Sequence, residues 1–267
     1  FYGESKEEAI DTQFSELTDV YSIESGDEFM FPESRGCRYI YLKNDDNVKD
    51  FYVYEEMYEP PFNPSFTSNS QIVNQIYEIS KETLKLTSRE FFIDGIKRDR
   101  WCWSGDAYQS YMANNYLFFD PEITKRTIIA LLGKPPYEQH INTIADYSMY
   151  LIIAAYEYYY ATGDKQFIEI YYPRLLGLYN FIQTRLNESG YVDKISEDDW
   201  IFIDWSDIDK GGALCAEQIL LWQCRNAMAN LSELCGLDGD GYRRDADKLK
   251  RNVMRDFWRE DRGGFVD

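Results

Sequence analysis

The chain has 267 residues with a formal net charge of −19, and it is 44% hydrophobic and 17% aromatic. That apolar content is ample for a core and excludes a disordered polymer; the length accommodates one large domain or two small ones. The negative charge argues against nucleic acid or anionic membranes as partners. No apolar run reaches the roughly 18 residues of a membrane span, and the best candidate, 149–155, is far too short.

Residues 1–60 are β-like. Aromatic and β-branched runs at 37–42 and 48–54 flank Lys43-Asn44-Asp45-Asp46-Asn47, which predicts a hairpin with a polar five-residue loop. Gly26-Asp27 and Pro32-Glu33-Ser34 punctuate the earlier part, and Pro60, Pro61 and Pro64 mark a linker.

From about residue 69 the apolar period becomes helical. Ile72, Val73, Ile76, Tyr77 and Ile79 mark one face of a helix ending near Leu86. A second helix is predicted from Gly105 to about Phe118. Asp120-Pro121-Glu122 starts a third, with an Asp cap, Pro in the first turn and an acidic second position, and it ends at Gly133. A loop at 135–141 holds the single histidine, His140. A Tyr-rich helix follows from about Thr143 to Ala161. Gly163 ends it, and Asp164 caps the next, which runs to about Asn187 with Pro173 as a potential bend. Residues 190–210 form a long acidic and aromatic loop or a short hairpin. Gly211-Gly212 opens another helix to Cys235, Gly236 closes it, and Asp240 is expected to cap a last one to about Trp258. Seven helices with short links predict stacked helix pairs, and the recurrence of Gly163-Asp164 as Gly239-Asp240 is a weak sign of repetition.

The cysteines (Cys37, Cys102, Cys215, Cys224, Cys235) are odd in number and widely spaced, so they predict neither a disulfide framework nor a metal site. A Ser-His-Asp triad would depend on His140, and no G-x-S-x-G elbow is present. A histidine zinc site is equally unsupported. No cofactor and no metal are expected.

The stretch with chemistry is Asp94-Gly95-Ile96-Lys97-Arg98-Asp99-Arg100-Trp101-Cys102-Trp103-Ser104-Gly105-Asp106. Three carboxylates, three cations and two indoles show no sustained apolar period, so this is an ordered loop and not a core element. Carboxylates grip hydroxyls and move protons, and an indole stacks on the apolar face of a pyranose; together they point to a sugar site.

This stretch resembles the signature of the α-L-rhamnosidases of glycoside hydrolase family 78, D-x-P-x-R-[DE]-x-x-G-W-x-G-D. Asp94, Arg98, Asp99, Trp103, Gly105 and Asp106 fall on its fixed positions, while Ile96 and Cys102 replace a proline and a glycine. Tyr2-Gly3-Glu4-Ser5 and Arg38-Tyr39-Ile40 upstream, and Ala161-Thr162-Gly163-Asp164 and Asp204-Trp205 downstream, extend the likeness. The resemblance implies a mainly α chain. Residues 1–62 would be the end of a β-sandwich-type domain with its linker, and 63–267 the first part of an (α/α)6 barrel. Twelve helices complete such a barrel, so seven imply a chain that stops a little past halfway.

The resemblance further implies an inverting hydrolase releasing terminal α-L-rhamnose from plant polysaccharides or glycosides. Asp99 takes the general-acid position, where the family usually has Glu. Asp94, Arg98, Trp103, Asp106, Asp146 and Trp205 would contact the sugar, although Asp106 after Gly105 also suits a helix cap. Arg98 and Arg100 would oppose proton retention by Asp99 if they paired with it, so the acid role requires Asp94 or Asp106 to take them. The family's base segment is absent here; Glu217, in Gly211-Gly212-Ala213-Leu214-Cys215-Ala216-Glu217, is left unassigned and the base is expected beyond residue 267. The implied partner is a carbohydrate, with no nucleic acid and no membrane insertion, and the implied location is periplasmic, cell-surface or secreted. The alternatives are another (α/α)6 sugar hydrolase, or a carbohydrate-binding protein that has lost catalysis.

Overall fold

The computed structural model describes the whole chain except Ser25, Asp27, residues 44–47 and Asp267. It is mainly helical, and the chain divides into two compact units. One comprises Phe1–Pro60, Ser65–Arg89 and Ile93–Trp101; the other comprises Pro61–Pro64, Glu90–Phe92 and Cys102–Asp267.

In the first unit, β1 (Tyr2–Gly3) precedes a short helix α1 (Lys6–Ile10) and pairs antiparallel with β2 (Tyr39–Ile40), Tyr2 opposite Ile40. Ser5 caps α1 by accepting from the Glu8 amide at 3.1 Å, while Glu8 reaches back to the Glu4 amide at 2.8 Å, a capping-box arrangement. Gly3 is obligatory here, because a Cβ would lie 2.5 Å from the Ala9 amide nitrogen. Among the described residues, the hairpin expected between 37–42 and 48–54 has no pairing of its two arms. Its loop residues 44–47 lie outside the described residues, and Tyr39–Ile40 pairs with Tyr2–Gly3 while 48–54 carries no strand. Val48, Phe51, Tyr52, Val53 and Tyr54 are exposed, so that run gains no burial from pairing.

Helix α2 (Gln71–Leu86) closes the unit, and it turns the expected apolar face outward: Ile72, Val73, Ile76 and Ile79 are exposed, and Lys81 and Leu84 are its buried residues. Periodicity identified the helix but not which of its faces is covered.

The second unit holds α3 (Ser104–Tyr116), α4 (Pro121–Leu131), a 3₁₀ turn at Ile141–Thr143, α5 (Ala145–Thr162), α6 (Lys165–Thr184), α7 (Cys215–Leu234) and α8 (Asp240–Asp256). A small antiparallel ribbon follows, of β3 (Trp258–Arg259) and β4 (Gly264–Phe265). Punctuation residues act locally. Asp120 accepts from the Glu122 amide at 2.9 Å with Pro121 in the first turn; Gly163 ends α5 in the left-handed region at φ 71°; Asp164 accepts from the Phe167 amide at 3.0 Å. Pro173 does not divide α6, which continues to Thr184. Asp240 is the first residue of α8 and not its cap; Gly239 takes the cap position and Asp238 accepts from the Asp240 amide.

Helix α5 is the axis of this unit. It is apolar on nearly all sides, with Met149, Leu151, Ile152 and Ala155 fully buried, and it packs against α3, α4, α6 and α7. Each such Leu or Ile contributes roughly 1.5–3 kcal/mol by leaving water. Helix α8 is amphipathic by contrast; Ala246, Leu249 and Val253 recur at helical spacing and meet α7. Consecutive helices α5 and α6, and α7 and α8, pack as pairs, while alternate helices α3, α5 and α7 pack against one another through α5.

Candidate active site

Asp94, Arg98 and Asp99 lie in the first unit, on an exposed loop. The Asp94 carboxylate accepts from the Trp101 amide at 2.8 Å and its own amide donates to the Trp101 carbonyl at 3.0 Å, closing the loop on itself. The cations of the loop turn to glutamates of the N-terminal segment. Lys97 pairs with Glu8, Arg98 approaches Glu16 at 3.9 Å, and Arg100, in the left-handed region at φ 51°, pairs with Glu33 at 3.3 Å. Among the described residues neither arginine forms an ion pair with Asp99. The competition anticipated for the two arginines is thus met by Glu16 and Glu33. Gly36 makes the close approach possible, since a Cβ there would lie 2.7 Å from the Ile96 carbonyl oxygen.

Trp103, Asp106, Asp146 and Trp205 lie in the second unit. This unit contains a cavity of about 440 Å³. The first turns of α3, α5 and α7 converge on it, and each contributes one carboxylate: Asp106, Asp146 and Glu217. First-turn positions suit carboxylates because the unpaired amides of a helix N-terminus favour negative charge. Tyr147, Tyr150, Phe202, Gln109 and Gln223 supply aromatic and amide surface, and no Lys, Arg or His is among the lining residues.

The approach of α3 to α5 rests on a serine and a glycine. Ser104 donates its hydroxyl to the Tyr147 carbonyl at 2.8 Å and its amide to Asn142 Oδ1 at 3.0 Å. Gly105 leaves room for the Tyr147 ring, whose hydroxyl donates to Asp106 Oδ2 at 2.9 Å. Burial, with the Asp106 carboxylate beside it, pushes the Tyr147 hydroxyl well above its ordinary range, so it stays a donor. Asp106 stands in the first turn of α3 and is not its cap; Trp103 takes that position and meets the Tyr147 ring edge-on at 6.3 Å.

Asp146 is 2% exposed. Its Oδ2 accepts from the amides of Phe202 and Ile203 at 3.0 and 2.9 Å. Together with the Ala145 amide donating to the Trp200 carbonyl at 2.9 Å, this fastens the 200–205 segment to the start of α5. Ile203 is held at φ 53°, a conformation costly for a β-branched residue and maintained here by that carboxylate. The segment carries three rings in mutual contact, Trp200, Phe202 and Trp205, with Phe202 also meeting Tyr147 at 5.9 Å. Trp205 is 82% exposed and does not line the cavity; it joins it only through Phe202.

Glu217 is the lining residue that the sequence left unassigned. It is 1% exposed, and burial raises its carboxyl well above the usual range, reinforced by the neighbouring Asp146 charge. The available signal was a carboxylate sharing the helix face of Leu220, Leu221 and Cys224, all buried. Among the described residues no cluster of three or more His, Cys, Asp or Glu is arranged to hold a metal ion, and no helix is long and apolar enough to cross a membrane.

The family model of the bacterial alpha-L-rhamnosidase 6 hairpin glycosidase domain matches residues 62–267. Among solved structures, the chain is similar to a GH78 family rhamnosidase of Bacillus sp. GL1, with a TM-score of 0.70 and 21% identity over 79% of this chain and 23% of that one. It is also similar to a rhamnosidase from Klebsiella oxytoca with rhamnose bound, with a TM-score of 0.64 and 24% identity over 76% of this chain and 42% of that one. The chain therefore spans less than half the length of either. Comparison with curated proteins finds no match.

Proposed function

Because the chain belongs to the family of bacterial α-L-rhamnosidase six-hairpin glycosidase domains, we propose that it is part of an inverting glycoside hydrolase that releases terminal α-L-rhamnose from plant polysaccharides or glycosides. The observation that carries this reading is the cavity at the first turns of α3, α5 and α7, with its carboxylates, amides and aromatic faces. Such a wall accepts hydroxyl hydrogens and offers ring faces, which suits a sugar. The rhamnose held by the Klebsiella relative is a ligand of that kind.

In this reading Asp99 protonates the leaving oxygen, Asp94, Arg98 and Asp106 hold hydroxyls, and Trp103 and Trp205 offer apolar ring faces. Asp146 shapes the cavity wall. The test is the full-length protein on a panel of aryl glycosides, with the anomer of the first-released sugar followed by NMR. Turnover confined to the α-L-rhamnoside, with inverted product, supports the reading; turnover of another sugar, or a retained anomer, refutes it.

A further inference from the structure

Asp146 and Glu217 come from different helices and meet in the cavity wall. Asp146 Oδ1 and Glu217 Oε2 are buried and receive no hydrogen bond from any described N–H or O–H group. Both carboxyl groups line the same cavity wall, where the Asp146 charge bears on Glu217. A buried acceptor without a donor is unfavourable, and two such acceptors side by side are more so. One proton between them satisfies both.

We propose that Glu217 is a positioning residue of the sugar site: its carboxyl O–H donates to Asp146, and through Asp146 it holds the 200–205 segment in place. The consequence follows along the bonds. With Oδ1 engaged by Glu217, the Asp146 carboxylate presents Oδ2 to the amides of Phe202 and Ile203. Those contacts maintain the positive φ of Ile203 and the ring cluster that ends in Trp205. Glu217 is thereby committed to Asp146 and is not the acid that protonates a leaving group.

The groups facing this pair are few. Tyr147 and Tyr150 lie beside Asp146 on α5, Asp106 comes from α3, and His140 senses the Asp146 charge from the preceding loop. Among the described residues α6 and α8, which also pack on α7, send no charged side chain into the cavity. Removal of the shared proton would leave two carboxylates in contact and release the segment as pH rises.

The consequence for catalysis rests on the rhamnosidase reading, but the pair can be observed without it. Infrared difference spectra of full-length wild type minus Glu217→Gln at neutral pH should show a protonated-carboxyl band that is lost as pH is raised. Glu217→Gln keeps a donor toward Asp146, whereas Glu217→Leu does not. Tryptophan emission should therefore remain like wild type in the Gln variant and shift in the Leu variant. On an aryl α-L-rhamnoside the Leu variant should raise KM about tenfold, the scale of one lost hydrogen bond to a charged group, with a smaller change in kcat. Wild-type KM should rise as pH is raised and the pair loses its proton; the Gln variant should keep the wild-type neutral KM without that rise. The absence of a protonated-carboxyl band assigned to Glu217, or Gln and Leu variants that shift tryptophan emission alike, overturns the proposal. A clear band with no turnover of rhamnosides would instead overturn the rhamnosidase reading alone.

Discussion

Gly105 and Tyr147 touch so closely that a Cβ on Gly105 would lie 2.3 Å from the ring carbon Cε1 of Tyr147. The glycine of the loop signature thus has a packing reason: it lets α3 approach α5 and brings Asp106 to the Tyr147 hydroxyl. Gly105→Ala should cost about 1–3 kcal/mol, as overpacking of a well-packed site does. In a Tyr147→Ala background the same change should cost much less, because the partners in contact are coupled. A denaturant-unfolding cycle of the four proteins checks this, and additive costs would contradict it.

His140 and Glu217 set opposite pH slopes on stability. His140 is buried, hydrogen-bonds to Ser148 Oγ at 3.0 Å, and burial pushes it down to about 4 despite Asp199 nearby. The unfolded chain therefore takes up this proton first as pH falls. The contribution is full above the ordinary histidine range and is lost as pH drops through it toward about 4. Glu217 is raised, so the folded chain holds its proton longer, and that contribution is lost as pH rises above the usual carboxylate range. Replacing His140 with Gln should flatten the acid side of the stability profile by up to a few kcal/mol, and Glu217→Gln should flatten the alkaline side. Unfolding midpoints measured across pH for the two variants test both signs.

Trp205 separates a binding role from a folding role. An indole this exposed contributes little to the core, so Trp205→Ala should change stability by no more than about 0.5 kcal/mol. In the full-length protein it should weaken rhamnose binding by several-fold, which calorimetric titration reads directly. A destabilised variant with unchanged affinity would assign the ring to packing.

Helix positions were legible wherever a side chain acts on its own neighbours. Asp120-Pro121, Gly163 and Asp164 cap or end helices through local bonds, and each of the seven expected helices lies within a few residues of its expected place, whereas α1 falls in the segment read as β-like. Features decided by distant partners were not. The 37–42 run pairs with Tyr2–Gly3 and not with 48–54, and the apolar stripe of α2 faces outward. The signature loop announced its chemistry, but its arginines find Glu16 and Glu33, remote in sequence. Glu217 was passed over because its role depends on Asp146, 71 positions away (217 − 146) on another helix.

The central claim is that Asp99 delivers a proton to a rhamnoside leaving group. Its most direct test is full-length Asp99→Asn assayed on two α-L-rhamnosides, one with a poor leaving group and one with a good aryl leaving group. Loss of a general acid typically costs about 10²–10⁴-fold, and a good leaving group needs little protonation. The account predicts a loss of that size on the poor leaving group and a much smaller loss on the good one. Unchanged rates on the poor leaving group, or equal losses on both, would contradict it.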